Sequence, residues 1–311
     1  MKNSLILEKI RDELPSKIDC MLVCASYEDR CLSVSEYFDA SQITSLCLLH
    51  FSQYHHLSSA YIDKYKNKFN VRFYEMDISR PTTVADALID YFFAIASEIN
   101  HPNVVVDVST FTRESLLITI KYLEVNKDKL GDVYIFYRVA EASAQLSDEV
   151  VQIRSVLGYM GDFISELPLH LILLSGFEYE RAREIIDNLE PDFISIGYGD
   201  KDKSISPSSH EKNKEFTDKL LGYYSAELVT VFCHSLKDPN EVRIELKNVI
   251  ESRSNCNVVL APLNNKLSTV GAGLAAIDNP SVLVCYAEVG SYNETAYSNC
   301  KDECYIFKLE I

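Results

Sequence analysis

Short apolar, β-branched runs punctuate this chain, five in each half, and the first four of each half are followed by a segment whose apolar residues recur at helical spacing. The run Asn103-Val104-Val105-Val106-Asp107-Val108 is continuous rather than alternating, which marks a strand covered on both faces; such strands belong to parallel sheets flanked by helices. Parallel neighbours need a crossover connection, and crossovers are right-handed, so strict alternation of strand and helix leaves few topologies. A doubly wound sheet follows.

In the first half, strands are expected at 19–25, 43–51, 71–76, 103–108 and 133–139. Helices fall at 32–38, 61–69, 84–99 and 113–126, after an amphipathic opening at 5–14 that Pro15 stops. The stretch 140–167 breaks the rhythm: rich in Ser, Gly and acidic residues, with a short helix expected near 149–157, it reads as a connection. Strands resume at 169–174, 193–198, 228–233, 257–261 and 281–286, with helices at 180–189, 212–224, 239–253 and 269–277. The expected fold class is α/β, two tandem Rossmann-like domains, each a mostly parallel five-stranded sheet with helices on both faces. The domains run 1–145 and 168–311, joined by 146–167. A length of 311 residues agrees, since single cores stop growing at about 250–300 residues.

Composition narrows the class of partner. With 47% hydrophobic and 24% charged residues the chain is an ordinary globular one. No apolar run reaches the roughly 18–20 residues of a membrane span, and the N-terminus carries charges where a signal peptide has an apolar core, so a cytoplasmic protein without a membrane partner is expected. Most of the nine cysteines lie in strand-like runs and read as small buried hydrophobes of a reduced compartment. A formal net charge of −16 disfavours duplex nucleic acid, yet allows a small anion in a local pocket and would attract a basic protein. An acidic surface also serves solubility alone.

The halves resemble each other in their loops. After the first strand, Ala25-Ser26-Tyr27-Glu28-Asp29-Arg30 matches Ser175-Gly176-Phe177-Glu178-Tyr179-Glu180-Arg181 with one insertion. After the fourth, Ser109-Thr110-Phe111-Thr112-Arg113 and Asn264-Asn265-Lys266-Leu267-Ser268-Thr269 each bring small polar residues and a cation to a helix start. An internal duplication accounts for both. In open parallel sheets ligands bind beyond the carboxyl ends of the strands, where strand order reverses, so these loops are the candidate site.

Ser109, Thr110, Thr112 and Arg113, and in the second half Asn264, Asn265, Lys266 and Thr269, have the equipment to hold a phosphate or carboxylate at a helix N-terminus. The same hydroxyls and amides serve equally as helix caps, and Gly271 and Gly273 as packing positions. Ser26, Glu28 and Arg30, and Ser175, Glu178 and Arg181, form the other edge of the site. Each arginine either faces an anion or pairs with a neighbouring acid. His234, Glu288, Asp107 and Ser109 end strands and are the residues from which an acid/base pair could be drawn. His50, His55 and His56 lack metal-ligand spacing, as do Cys300 and Cys304, so no metal is expected. The G-x-S-x-G, G-x-x-x-x-G-K-[ST] and G-x-G-x-x-G motifs are missing, which removes the usual hydrolase, P-loop and dinucleotide readings, and no cofactor is expected.

This combination is similar to the CRISPR-associated Rossmann fold (CARF) sensors and the related tandem SAVED domains, whose fourth-strand turn often reads Gly-Thr-Lys. The matching stretches are Ser109-Thr110-Phe111-Thr112-Arg113 and Asn264-Asn265-Lys266; neither has the glycine, and the first has Arg for Lys. The resemblance covers topology over nearly the whole chain and motif identity over a handful of residues. It implies a sensor or regulatory subunit that binds a cyclic-nucleotide-type ligand in prokaryotic antiviral defence and acts with a separate effector protein. The other readings are an enzyme cleaving a nucleotide or phosphoester, and an acidic scaffold for a basic partner. A homo-oligomer is left open.

Overall fold

The structure is a computed structural model that describes residues 4–141, 147–294 and 299–311. The chain forms two compact units, one of Met1–Ser143 with Tyr297–Ile311, the other of Ala144–Ala296.

In the first unit, α1 (Ser4–Glu13) precedes β1 (Ile18–Ala25), α2 (Ser33–Tyr37), β2 (Ile43–Phe51), α3 (His55–Lys68) and β3 (Val71–Met76). Then come α4 (Thr82–Ala96), β4 (Val104–Asp107), α5 (Arg113–Val125) and β5 (Val133–Glu141). The second unit holds β6 (Val150–Met160), β7 (Leu169–Leu174), α6 (Tyr179–Leu189), β8 (Phe193–Gly199), α7 (Pro207–Leu221) and β9 (Val229–His234). It continues through α8 (Pro239–Glu251), β10 (Asn257–Pro262), α9 (Lys266–Asp278) and β11 (Leu283–Val289), and the chain ends in β12 (Asn299–Lys308).

Each sheet has six strands, in the orders β12-β5-β4-β1-β2-β3 and β6-β11-β10-β7-β8-β9. The two orders are equivalent position for position. Within each, the five strands of the repeating pattern are parallel, and the sixth, β12 or β6, joins one edge antiparallel. Strand order reverses between β1 and β4, where Val23 lies opposite Asp107, and between β7 and β10, where Leu174 lies opposite Pro262.

Local sequence explains the central elements. Every residue of β4 and of β10 is buried, as continuous apolar runs between helix layers must be. Helix α9 is built of small residues because it lies close to α8: a Cβ on Gly271 would stand 2.5 Å from the Pro239 carbonyl oxygen. Gly271 is therefore a packing position.

Three expectations need correction. The sheets have six strands rather than five. The segment 146–167, read as a connection with a short helix at 149–157, contains β6, paired with β11. And the boundary at 168–311 fails at its far end, because β12 pairs with β5 of the first unit. Both added strands lie at sheet edges, where one face or one side meets water, so neither shows a clean apolar period. β6 is exposed at Val151, Leu157 and Met160, and β12 carries the charged run Lys301-Asp302-Glu303 near its start.

β12 nevertheless contributes to the first core: Cys304 and Ile306 pack in one cluster with Ile6, Ile10, Phe38 and Phe136. Ile306→Ala is expected to cost about 2–4 kcal/mol of stability in urea unfolding. Hydrogen exchange should show the lost protection in β5 and α1; loss in β11 instead would contradict the pairing.

Candidate functional site

The loop after β1 and the loop after β7 are held by the same device. Arg30 is 2% exposed; its Nε donates to Glu28 Oε2 at 2.7 Å and its Nη1 to the Arg138 carbonyl at 3.2 Å. Its guanidinium lies 6.0 Å from the Tyr137 ring centroid. In the second unit Arg181 Nη1 donates to both oxygens of Glu178, at 3.1 and 3.3 Å, Nη2 donates to the Ala287 carbonyl, and the guanidinium lies 5.1 Å from the Tyr286 ring. Tyr137 and Tyr286 occupy the equivalent strands β5 and β11. Burial disfavours the Arg181 charge, but Glu178 with the Tyr292 and Tyr286 phenols more than restores it, and its proton affinity rises. Both arginines thus take the acid-paired arrangement.

The aromatic of the shared motif is structural as well: Tyr27 packs edge-on to Tyr54 and Phe177 edge-on to Phe216, at 5.5 and 6.3 Å between ring centroids. Ser26 is half-buried and its carbonyl faces the Cys31 thiol at 3.6 Å. Ser147 Oγ adds a 2.7 Å bond to Glu178 Oε1.

The loops after β4 and β10 are also built alike. Thr112 caps α5 by accepting from Ser115 N at 3.1 Å, and Asn265 caps α9 by accepting from Ser268 N at 2.9 Å. Ser115 Oγ and Ser268 Oγ return bonds to the Thr112 and Asn265 carbonyls, at 3.1 and 2.9 Å. Arg113 and Lys266 are then the first residue of each helix, Arg113 buried and Lys266 half-buried. Thr269 Oγ1 is turned back on the Asn265 carbonyl at 2.9 Å.

Thr110 and Asn264 fasten these loops to the first strand. Thr110 Oγ1 donates to the Cys24 carbonyl at 2.6 Å, and Asn264 Nδ2 to the Ser175 carbonyl at 2.5 Å. The second unit adds a buried network that the sequence did not suggest. Asn213, on α7, accepts from Gly199 N at 2.7 Å and from Asn264 Nδ2 at 3.1 Å, and donates to the Ser175 and Gly176 carbonyls at 2.9 and 3.1 Å. Ser175 Oγ completes it with Thr217 Oγ1 at 2.7 Å. The two loops touch through their backbones: a Cβ on Gly176 would stand 2.1 Å from the Leu263 carbonyl oxygen, so only glycine fits there. Asn213 and Thr217, four residues apart on one helical face, were the available signal for this network.

Where Asn264 and Asn213 saturate the second unit, the first has an acid. Asp107 is 1% exposed at the end of β4, and its Oδ1 accepts from Ser109 N at 3.0 Å and Ser109 Oγ at 2.5 Å. Ser109 Oγ in turn accepts from Arg138 N at 2.9 Å. Asp107 Oδ2 has no hydrogen-bond partner among the described residues. Burial pushes its pKa up to about 6, although the Ser109 bonds and the nearby Arg30 and Arg138 charges work the other way.

Of the other strand-end candidates, His234 is fully buried, its Nδ1 3.0 Å from the Ser235 carbonyl, and burial lowers its pKa to about 4, so it is neutral at pH 7. Glu288 is ion-paired with Arg154 of β6. His50 is buried beside His55 and Phe73. No cluster of metal-ligating side chains occurs among the described residues, and all nine cysteines are free, with Cys233 exposed on the edge strand β9.

No protein-family model and no curated protein sequence matches the chain. Among solved structures it is similar to the cytoplasmic domain of a prokaryotic cation chloride cotransporter, at 8% identity over 87% of this chain and 95% of that one, with a TM-score of 0.25. It is also similar to a periplasmic solute-binding protein of an ABC transporter from Actinobacillus succinogenes, solved with D-allose, at 10% identity over 86% and 77% of the chains and a TM-score of 0.24. Likenesses at these scores carry no argument about function.

Two outcomes test this geometry. Glu178→Ala strands a buried guanidinium and is expected to cost about 3–5 kcal/mol, whereas replacing Glu178 and Arg181 together by leucine should cost less than that single change. The second concerns Asp107, whose folded pKa of about 6 lies above its unfolded value. Its contribution to stability is full below about pH 4, declines as pH rises to 6, and is gone above, a change of about 3 kcal/mol. Asp107→Asn should remove that slope from urea-unfolding measurements between pH 4 and 7; an unchanged slope would assign it elsewhere.

Proposed function

We propose that this protein is a CARF-like sensor or regulatory subunit that binds a small anionic, nucleotide-type ligand at the carboxyl ends of its parallel strands. It acts with a separate effector protein in prokaryotic antiviral defence. One observation supports the reading above the rest: the same local arrangement opens the helix after the fourth parallel strand in both units. A cap, a cation, any residue and a serine follow one another as Thr112-Arg113-Glu114-Ser115 and as Asn265-Lys266-Leu267-Ser268. Each cation thus stands in the first turn of a helix, at the positive end of its dipole, where a bound anion would interact favourably with both the side chain and the helix N-terminus. A chain of net charge −16 repels large polyanions, which leaves a small anion as the class of ligand these helix starts would take.

Thermal-shift measurement against mononucleotides and cyclic oligonucleotides tests the proposal. A ligand at 100 times its Kd adds about 2.7 kcal/mol, a rise of roughly 5–10 °C for units of this size. Arg113→Ala and Lys266→Ala should each reduce the rise, and added salt should weaken it in the parent protein. A folded protein that shifts with no member of the panel contradicts the sensor reading. Chromatography of the incubated ligand separates binding from cleavage: a sensor returns it unchanged.

A further inference from the structure

β3 and β9 hold the same place in the two sheets, the edge opposite β12 and β6, and the two edges are built differently. β3 is protected by charge, as edge strands ordinarily are: Glu75 is its one exposed residue, Arg72 is paired with Glu98 just past α4, and Lys66 of α3 lies over the Phe73 ring at 4.2 Å. β9 has no such protection. From Leu228 to Leu236 the sequence holds no acid, Lys, Arg or Pro, and His234 is buried and neutral at pH 7. Thr230, Val231 and Cys233 of the strand are exposed, and so are Tyr223 and Leu228 in the turn that leads into it.

The backbone of this edge is open as well. The Leu228 carbonyl accepts from Ile194 N at 2.9 Å and the His234 carbonyl from Asp200 N at 2.8 Å. Residues of a strand point their N–H and C=O alternately to either side, so Leu228, Thr230, Phe232 and His234 turn towards β8, and Val229, Val231 and Cys233 turn away from it. Among the described residues β9 pairs with β8 alone. An uncharged strand of high β propensity with an open row of donors and acceptors is a template for another strand.

We propose that β9 is a dimerisation edge, which takes the β9 of a second copy of this chain in antiparallel register about a two-fold axis. With the axis at Val231, Val229 stands opposite Cys233 of the second copy, and every outward N–H and C=O of the strand finds a partner. A two-fold parallel pair would instead hold the outward groups level with one another, where a parallel ladder needs them staggered. Charge points to the same occupant. Glu227 precedes the strand and Lys237 follows it, while the next acid, Asp238, is engaged as the cap of α8, so antiparallel pairing brings unlike charges to both ends. Elsewhere two copies of net charge −16 repel each other, and a basic partner would seek the acidic side chains this edge lacks. A two-fold contact of this kind is isologous and closes at the dimer. The inference rests on β9 and requires nothing of the candidate ligand sites.

Sedimentation equilibrium of the full-length chain over a dilution series tests it. The parent protein should reach twice the mass of one chain as concentration rises. Val231→Lys places a charge beside its own image at the axis, and this variant should keep the mass of one chain at every concentration at which the parent pairs. A parent chain that stays single overturns the proposal, and so does a Val231→Lys chain that pairs as the parent does, since another surface would then be responsible. Should that variant fail to fold, amide exchange in the unsubstituted protein decides. Exchange at Val229, Val231 and Cys233 should slow as the protein is concentrated, while Thr230 and Phe232, turned towards β8, exchange slowly throughout. Outward amides that exchange equally fast at low and high concentration refute the pairing.

Discussion

A guanidinium shut away from water has to be neutralised and hydrogen-bonded where it lies, and both units are organised around one that is. Arg30 and Arg181 reach from the loop after the first parallel strand to a carbonyl on the fifth, past the fourth strand that separates them. Each is charge-paired with a glutamate of its own loop and lies near a tyrosine ring of the fifth strand. The geometry of the carboxyl edge follows, because a loop tied across the strand-order reversal has little freedom left. Removing one partner would leave the other charge buried, so the ion pairs specify the loop conformation even where their net contribution to stability is small.

With the first loop fixed, the fourth-strand loop is set against it by short side-chain to backbone bonds. The two units solve this with different residues, Thr110 in one and Asn264 in the other, and then diverge. The second unit seals its reversal point with an asparagine network and a glycine contact. The first leaves a buried carboxyl, Asp107, with one oxygen unpartnered among the described residues. A common plan with unequal polar contents is what a duplication followed by separate change of each half would leave behind. The buried glutamate–arginine pairs, the helix caps and the cations Arg113 and Lys266 that follow the caps are what both halves retain.

Much of this was legible in the sequence. The continuous apolar runs and helical spacing located ten parallel strands to within a few residues, and the recurrent loop motifs pointed to the strand ends that carry Arg30, Arg181, Arg113 and Lys266. The sequence left each arginine between an acid partner and a ligand, because proximity along the chain places Glu28 and Glu178 within reach but says nothing of the carbonyls of Arg138 and Ala287, more than a hundred residues away. Asn213 escaped notice for the same reason: a polar residue on an otherwise amphipathic helix looks solvent-facing until the loops it fastens are in place.

Periodicity and burial are local properties, so the chain's own order of residues determined the alternation of strand and helix, the parallel sheets and the duplicated plan. Which sheet an edge strand joins is not local. β6 and β12 pair through backbone groups that every residue possesses, and their side chains meet water on enough positions to blur the pattern. Only the tertiary structure, in which each strand finds an open edge with a matching apolar face, decided that they cross from one unit to the other.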